Sequence, residues 1–190
     1  MYRAWVALAL TLLALAPLTV SAAAPVTLPD VNGVRHQPLV AKDNRATVFF
    51  FLAHDCPISN GYAPEMNRIC ARYAPAKVGF YMVYTDSDTR ASEERKHAKA
   101  FGFRCPALRD PSHILVQQVG VTTTPEVAVV APSGKLLYRG RIDNTYAQVG
   151  IRRNQTTEHD LRDALDAILQ NRPVLHPTTP AIGCYISPAK

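Results

Sequence analysis

The sequence predicts an α/β fold, a central mixed sheet flanked by helices, with a proline-rich C-terminal extension. Three observations carry that expectation. Two short, uninterrupted apolar runs, ATVFFFLA (46–53) and VGFYMVYTD (78–86), have the length and content of strands buried on both faces. Stretches with apolar residues at helical spacing follow them. EVAVVAPSGKLLYRGRID (126–143) then places a turn signal, PSG, between two strand-like halves, ahead of a last amphipathic stretch. Alternation of this kind puts helices on both faces of one sheet.

Residues 1–24 stand apart from the fold. Arg3 precedes an apolar run from Trp5 to Val20, and the small residues Ser21 to Ala24 follow. This is the pattern of a secretory signal peptide cleaved after Ala22 or Ala24. The rival reading, an uncleaved anchor, is weakened because the run holds Pro17 and is short against the roughly 20 apolar residues of a spanning helix. The chain is therefore expected to be exported, periplasmic or secreted, with no membrane contact after signal cleavage. The mature part divides into one domain over 25–172 and an extended tail over 173–190.

Each element has its own justification. PISNGYAPEMNRICARYA (57–74) begins with Pro57, suited to a first helical turn because its missing N–H has no partner there. Met66, Ile69, Cys70 and Tyr73 recur at helical spacing, and Gly61 and Pro64 predict an interruption. SDTRASEERKHAKAFGF (87–103) reads as a polar helix with a solvated face. CPALRD (105–110) reads as a short strand and PSHILVQQVGV (111–121) as a helical turn or two. TTEHDLRDALDAILQN (156–171) has a Thr cap and sets Leu161, Leu165, Ile168 and Leu169 on one face. The tail RPVLHPTTPAIGCYISPAK is rich in proline and should be extended.

Charge and cysteine usage narrow the function. The net charge is +6, but Lys and Arg are scattered without a dense basic block, which argues against nucleic-acid binding. The four cysteines are Cys56, Cys70, Cys105 and Cys184; none sits in a CxxC, and the histidines are dispersed. A zinc ribbon is not expected, and no cofactor or metal is assigned. In an oxidising compartment both structural disulfides and thiol chemistry are open.

Cys56 is the leading candidate for chemistry. It leaves a buried strand and stands directly before Pro57, at the start of a helix. The thiolate is the nucleophile, and a helix start offers free N–H groups and about half a positive charge. That is worth about 0.3–1 kcal/mol, up to ~2 when partly buried. Since one pKa unit is about 1.4 kcal/mol, the helix alone lowers the thiol by roughly one unit. A stronger shift needs a nearby cation or donor. His54 and Asp55 flank the cysteine, either as proton carriers or as part of a solvated loop. Ser59 stands where a dithiol motif has its second cysteine, and is either a weak hydrogen-bond donor to the thiolate or a helix-surface serine.

The partner thiol is sought by reach. An unbroken helix between Cys56 and Cys70 separates them by about 21 Å at ~1.5 Å per residue, while a disulfide needs Cα atoms within ~7 Å. Cys70 sits near the end of a helix descending from a parallel strand, and Cys105 begins a later upward strand at the same sheet edge. These two form a structural disulfide or remain buried free thiols that pack as small hydrophobes. Cys184, in the tail, reaches back about 45 Å at ~3.3–3.6 Å per residue. It is the candidate resolving thiol for Cys56, or else a tail cysteine that pairs with another molecule or merely packs.

The element order, with Cys-Pro after the first buried strand, resembles the thioredoxin fold. More closely, the chain is similar to the redoxin or alkyl-hydroperoxide-reductase-like (AhpC/TSA) family, in a peroxiredoxin-like subgroup of exported bacterial proteins. FLAHDCPISNGYAPEMNRI, FRCPALRDPSHILVQQVGVTTTPEVAVVAPSGKLLYRGRID and LRDALDAILQNRPVLHPTTPAIGC carry the resemblance, which covers most of 46–186; TPAIGCYI is typical of the subgroup. The chain departs from related motifs: WCxxC is absent, and Phe49 and Ala53 stand where a PxxxTxxC pattern has Pro and Thr. The resemblance implies a cis-proline at Thr124-Pro125 against the active cysteine, its backbone offering a ladder edge to a substrate's extended chain. It also implies that 126–131 runs antiparallel to the first strand, so that Arg141 emerges on the active-site side as a candidate cation for Cys56.

The function implied is a thiol-based oxidoreductase acting on a thiol, disulfide or peroxide substrate with an unidentified redox partner protein. Two alternatives remain at this level. One is a copper(I) carrier like the Sco-type chaperones, built from Cys56, Cys184 and His54 or His176, although their CxxxC is missing because position 60 is Asn. The other is a non-catalytic binding module on a thioredoxin scaffold.

Overall fold

The computed structural model describes residues 26–40 and 43–189, so the signal-peptide expectation lies outside the described residues. The elements run β1 (Leu28–Pro29), β2 (Arg35–His36), β3 (Ala46–Leu52), α1 (Pro57–Tyr73), β4 (Val78–Tyr84), α2 (Ala91–Ala100), β5 (Ala107–Arg109) and α3 (Ile114–Val119). They continue with β6 (Thr123–Thr124), β7 (Glu126–Val130), β8 (Leu136–Gly140), β9 (Tyr146–Gln148), β10 (Ile151–Arg152), α4 (Asp160–Leu169) and β11 (Cys184–Tyr185). The central sheet has five strands in the order β5-β4-β3-β7-β8. β3, β4 and β5 are parallel, while β7 runs antiparallel to β3 and β8 antiparallel to β7.

The apolar runs earn their place at the centre. Every residue of β3 is buried, and its side chains alternate between two cores. Val48, Phe50 and Leu52 join Met82 and Val129 under α1 and α4, which contribute Met66, Ile69, Leu161 and Leu165. Phe49 and Phe51 face the other way, onto Leu108, Leu115 and Val119 beneath α3. Burying each such side chain is worth about 1.5–3 kcal/mol, so β3 anchors both layers and its C-terminal end holds the loop that follows in place.

α1 runs unbroken through Pro64, which corrects the expected interruption. A Cβ at Gly61 would lie 2.2 Å from the Tyr146 hydroxyl, so this glycine serves the close approach of Tyr146 rather than a break. The other helices are shorter than the sequence pattern suggests because side chains claim the backbone donors at their starts. Asn144 Oδ1 accepts from the N–H groups of Thr157 and Glu158, so α4 starts only at Asp160. The Glu93 carboxylate accepts from the Arg90 N–H ahead of α2. The buried Asp110 carboxylate accepts from the N–H groups of Ile114, Leu115 and Val116 at 2.8–2.9 Å and starts α3. None of the helices among the described residues is long and apolar enough to cross a membrane.

The tail is extended and bound along the domain. Arg139 N–H donates to Pro177 O at 2.9 Å, Thr179 N–H to Arg139 O at 3.1 Å, and Tyr138 and Thr179 share a hydroxyl hydrogen bond of 2.7 Å. The chain then crosses to the end of the sheet where β3 leads into α1, and β11 pairs antiparallel with β6, Cys184 opposite Thr124 and Tyr185 opposite Thr123.

Candidate active site

Cys56 caps α1: its backbone is extended, and Pro57 occupies the first helical turn. The residue is 2 % exposed and lies at the floor of a cleft of about 470 Å³ bounded by His54, Asp86, Thr89, Thr124 and Cys184. Its thiol donates to the Thr124 carbonyl at 3.2 Å. The Thr124–Pro125 peptide is cis.

Two opposing effects act on this sulfur. Burial pushes the thiol up. Against it act the neighbouring Cys184 thiol, the N–H and hydroxyl of Ser59, and the N–H of Ile58, and together they hold Cys56 below its ordinary value. Ser59 Oγ is buried and makes no hydrogen bond while Cys56 keeps its proton. It is free to donate once the sulfur ionises, so Ser59 is not a helix-surface residue. Cys184 moves the other way. Burial, the neighbouring Cys56 sulfur and the negative charge of Asp55 push it up to about 12. Of this cysteine pair, Cys56 ionises first.

Arg141 requires a correction. The topology places it at the expected end of β8, but its guanidinium turns to α4. Nε donates to Asp160 Oδ2 at 2.7 Å, and Nη2 contacts Glu158 and Asp160. These carboxylates raise its own pKa. It does not line the Cys56 cleft. The groups that do most to hold Cys56 down are hydrogen-bonding neighbours.

Glu126, directly after Pro125, has a role the sequence does not disclose. It is buried, and Oε2 accepts from the N–H groups of Thr122 and Thr123 at 2.9 and 3.2 Å. It therefore shapes the edge that Cys184 pairs with. His54 is fixed by Asp86, whose Oδ2 accepts from its N–H at 3.1 Å and lies 3.3 Å from its Nδ1; Thr89 Oγ1 is also 3.3 Å from that nitrogen.

Of the side chains expected to hold copper(I), Cys56, Cys184 and His54 line one cleft, whereas His176 lines a separate cleft beside α4. The one group of three metal-ligating side chains found among the described residues is His54, Asp55 and Asp86, which includes neither sulfur. At the opposite end of α1, Cys70 and Cys105 bring their sulfurs to 2.9 Å. The Cys105 contact, with burial, pushes Cys70 up. The continuous helix keeps Cys70 from Cys56.

Similar structures share this architecture. A hypothetical protein from Sinorhizobium meliloti is 26% identical over 86% of this chain and 91% of its own, with a TM-score of 0.75. An uncharacterized conserved protein from Geobacillus kaustophilus is 30% identical over 87% of this chain and 89% of its own, with a TM-score of 0.73. A secreted disulfide oxidoreductase from Mycobacterium tuberculosis, homologous to Escherichia coli DsbE, covers 77% of this chain and 96% of its own at 15% identity and a TM-score of 0.52, a likeness of fold. No curated protein matches the chain in sequence. The sheet order and the helices on its two faces are thioredoxin-like. The model of the AhpC/TSA family matches residues 20–139, more than half of the sequence, and the chain belongs to that family.

Proposed function

We propose that the protein is an exported thiol–disulfide oxidoreductase in which Cys56 attacks and Cys184 resolves. One observation carries this reading: the tail's backbone pairs with the edge at Thr124 and so sets Cys184 in the same cleft as Cys56, whose thiol donates to the Thr124 carbonyl. Export rests on the pattern of residues 1–24 and agrees with the secreted fold relative.

The Cys56 thiolate attacks one sulfur of a partner disulfide. The partner's other sulfur leaves as a thiolate and takes a proton from water. A mixed disulfide now joins Cys56 to the partner, and the Cys56 charge that helped hold the proton on Cys184 is gone. Cys184 loses its proton to solvent and attacks Cys56, closing a Cys56–Cys184 disulfide and releasing the partner's second thiol. The partner gains two electrons, this chain loses two, and an external dithiol reductant resets it. The same steps run backward oxidise a partner dithiol. Peroxide reduction would use the same pair, with Cys184 resolving a Cys56 sulfenic acid. Disulfide exchange is preferred because the tail already lies in the cleft as an extended peptide.

Away from this pair, Cys70 and Cys105 close a structural disulfide once the protein reaches an oxidising compartment, a reading supported by their 2.9 Å approach.

The test compares wild type, Cys56→Ser and Cys184→Ser on a model protein disulfide and on hydrogen peroxide with a dithiol reductant. Loss of turnover in Cys56→Ser, with a trapped mixed disulfide in Cys184→Ser, is expected. Equal rates on both substrates for wild type and Cys56→Ser refute the reading.

A further inference from the structure

The tail segment that bears Cys184 has a steric feature that the redox chemistry does not require. A Cβ placed on Gly183 would lie 2.1 Å from the Thr124 carbonyl oxygen and 2.9 Å from Thr123 Cγ2. The first of these is backbone, held in the pairing of Thr124 with Cys184, and cannot swing aside as the end of a flexible side chain would. Gly183 does not have a positive φ, so closeness alone selects glycine there. Beyond the cysteine the demands differ. Tyr185 is 89 % exposed, whereas Ile186 donates its N–H to Thr122 O at 3.0 Å and packs its side chain against the core under α3. Read from the edge strand outward, the cleft accepts glycine, then cysteine, then any residue, then an apolar one.

We propose that the redox partner's own polypeptide, pairing along the edge at Thr122–Thr124, takes the place of 183–186 and is selected there for a Gly-Cys-X-apolar sequence. This rests on the exchange function proposed above and names its substrate class. The tail is a built-in copy of the substrate. It stays fastened to β8 at Pro177 and Thr179, so when a partner displaces Cys184 the thiol remains within about 17 Å of that anchor at ~3.3–3.6 Å per residue. From there it returns to resolve the mixed disulfide within the same molecule. The incoming cysteine sulfur bonds to Cys56 as its former partner sulfur leaves with the electron pair; the returning Cys184 thiolate then attacks Cys56, forming the Cys56–Cys184 bond and releasing the incoming cysteine as a thiolate.

The test uses the full chain carrying Cys184→Ser, so that mixed disulfides persist. Peptides Gly-Cys-Tyr-Ile, Ala-Cys-Tyr-Ile and Val-Cys-Tyr-Ile are each activated at cysteine as a thionitrobenzoate mixed disulfide, and release of the coloured thiolate follows capture by Cys56. Background from Cys70 and Cys105 is measured with Cys56→Ser. The glycine peptide is expected to react about tenfold or more faster than the other two, because an added methyl must force backbone apart. In a second full-length variant, Gly183→Ala, the tail is unseated, so the glycine peptide reacts faster than with wild type and the Cys56–Cys184 disulfide forms more slowly. Ellman's reagent, which needs no docking, reports Cys56 reactivity separately. Normal reaction with that reagent but equal rates for the three peptides overturns the sequence selection and leaves the exchange function standing. Failure of Cys56 to react with any of these probes removes the exchange function, and the docking site with it.

Discussion

Cys184 lies directly across an antiparallel pair from Thr124, whose hydroxyl donates to the Cys184 carbonyl at 3.4 Å while its own carbonyl accepts from the Cys56 thiol at 3.2 Å. Thr124 thus binds both ends of the proposed redox pair through one residue. The distance along the chain between Cys56 and Cys184 is closed by backbone pairing, so the thiol proposed to resolve is held in position before any substrate arrives.

Replacing Cys184 with Ala removes a neighbouring thiol that holds the Cys56 pKa down. The Cys56 pKa should therefore rise. The sign follows from the thiolate: a lowered pKa keeps Cys56 reactive at lower pH, and the variant's reactivity profile moves to higher pH. Alkylation rates at the Cys56 peptide, followed by mass spectrometry across pH, check this. An unchanged midpoint contradicts it.

Arg141→Ala should leave that alkylation profile where it is, because its guanidinium is engaged by Asp160 and Glu158. The variant should lose about 1 kcal/mol of stability, given that the ion pairs are partly exposed. Urea unfolding and alkylation of the same sample separate the two effects.

The fold was legible where burial writes itself into composition. The Phe-rich run of β3 and the run of β4 declare a sheet centre, and Cys-Pro declares a capped helix start. Arg141 shows where such reading stops. Topology put it at the correct end of β8, but the direction of its side chain is set by Asp160 and Glu158 on a separate element. The two-residue pairs β1–β2 and β9–β10 are too short to show a period. The seat of Cys184 was within reach of the tail by length, but the pairing itself is made by backbone groups, which every sequence possesses. Glu126 and Gly183 gain their meaning from that pairing, the first by tying down the edge and the second by letting the tail approach it.

Glu126→Gln tests the edge. The carboxylate accepts from two backbone N–H groups, and a neutral amide replaces those charge-assisted bonds with weaker ones and brings a buried N–H₂ without a ready acceptor. A loss of about 1–3 kcal/mol is expected, together with faster alkylation of Cys184 as β11 loosens. Wild-type stability and Cys184 protection in this variant would show that the edge is held by other contacts.

Cys105→Ala should lower the melting temperature only under oxidising conditions. A Cys70–Cys105 disulfide closes a long loop and stabilises by about 2–4 kcal/mol through the unfolded chain. Identical melting of wild type and variant without reductant removes this bond from the account.

The central claim is that Cys56 and Cys184 form one redox pair within a single molecule. Stoichiometric oxidation of the full chain at high dilution, alkylation of the remaining thiols and peptide mapping by mass spectrometry test it directly. The predicted map contains a Cys56–Cys184 cross-link in monomeric protein; a Cys56–Cys105 or Cys70–Cys184 cross-link, or a Cys184 bond that appears only between molecules, contradicts it.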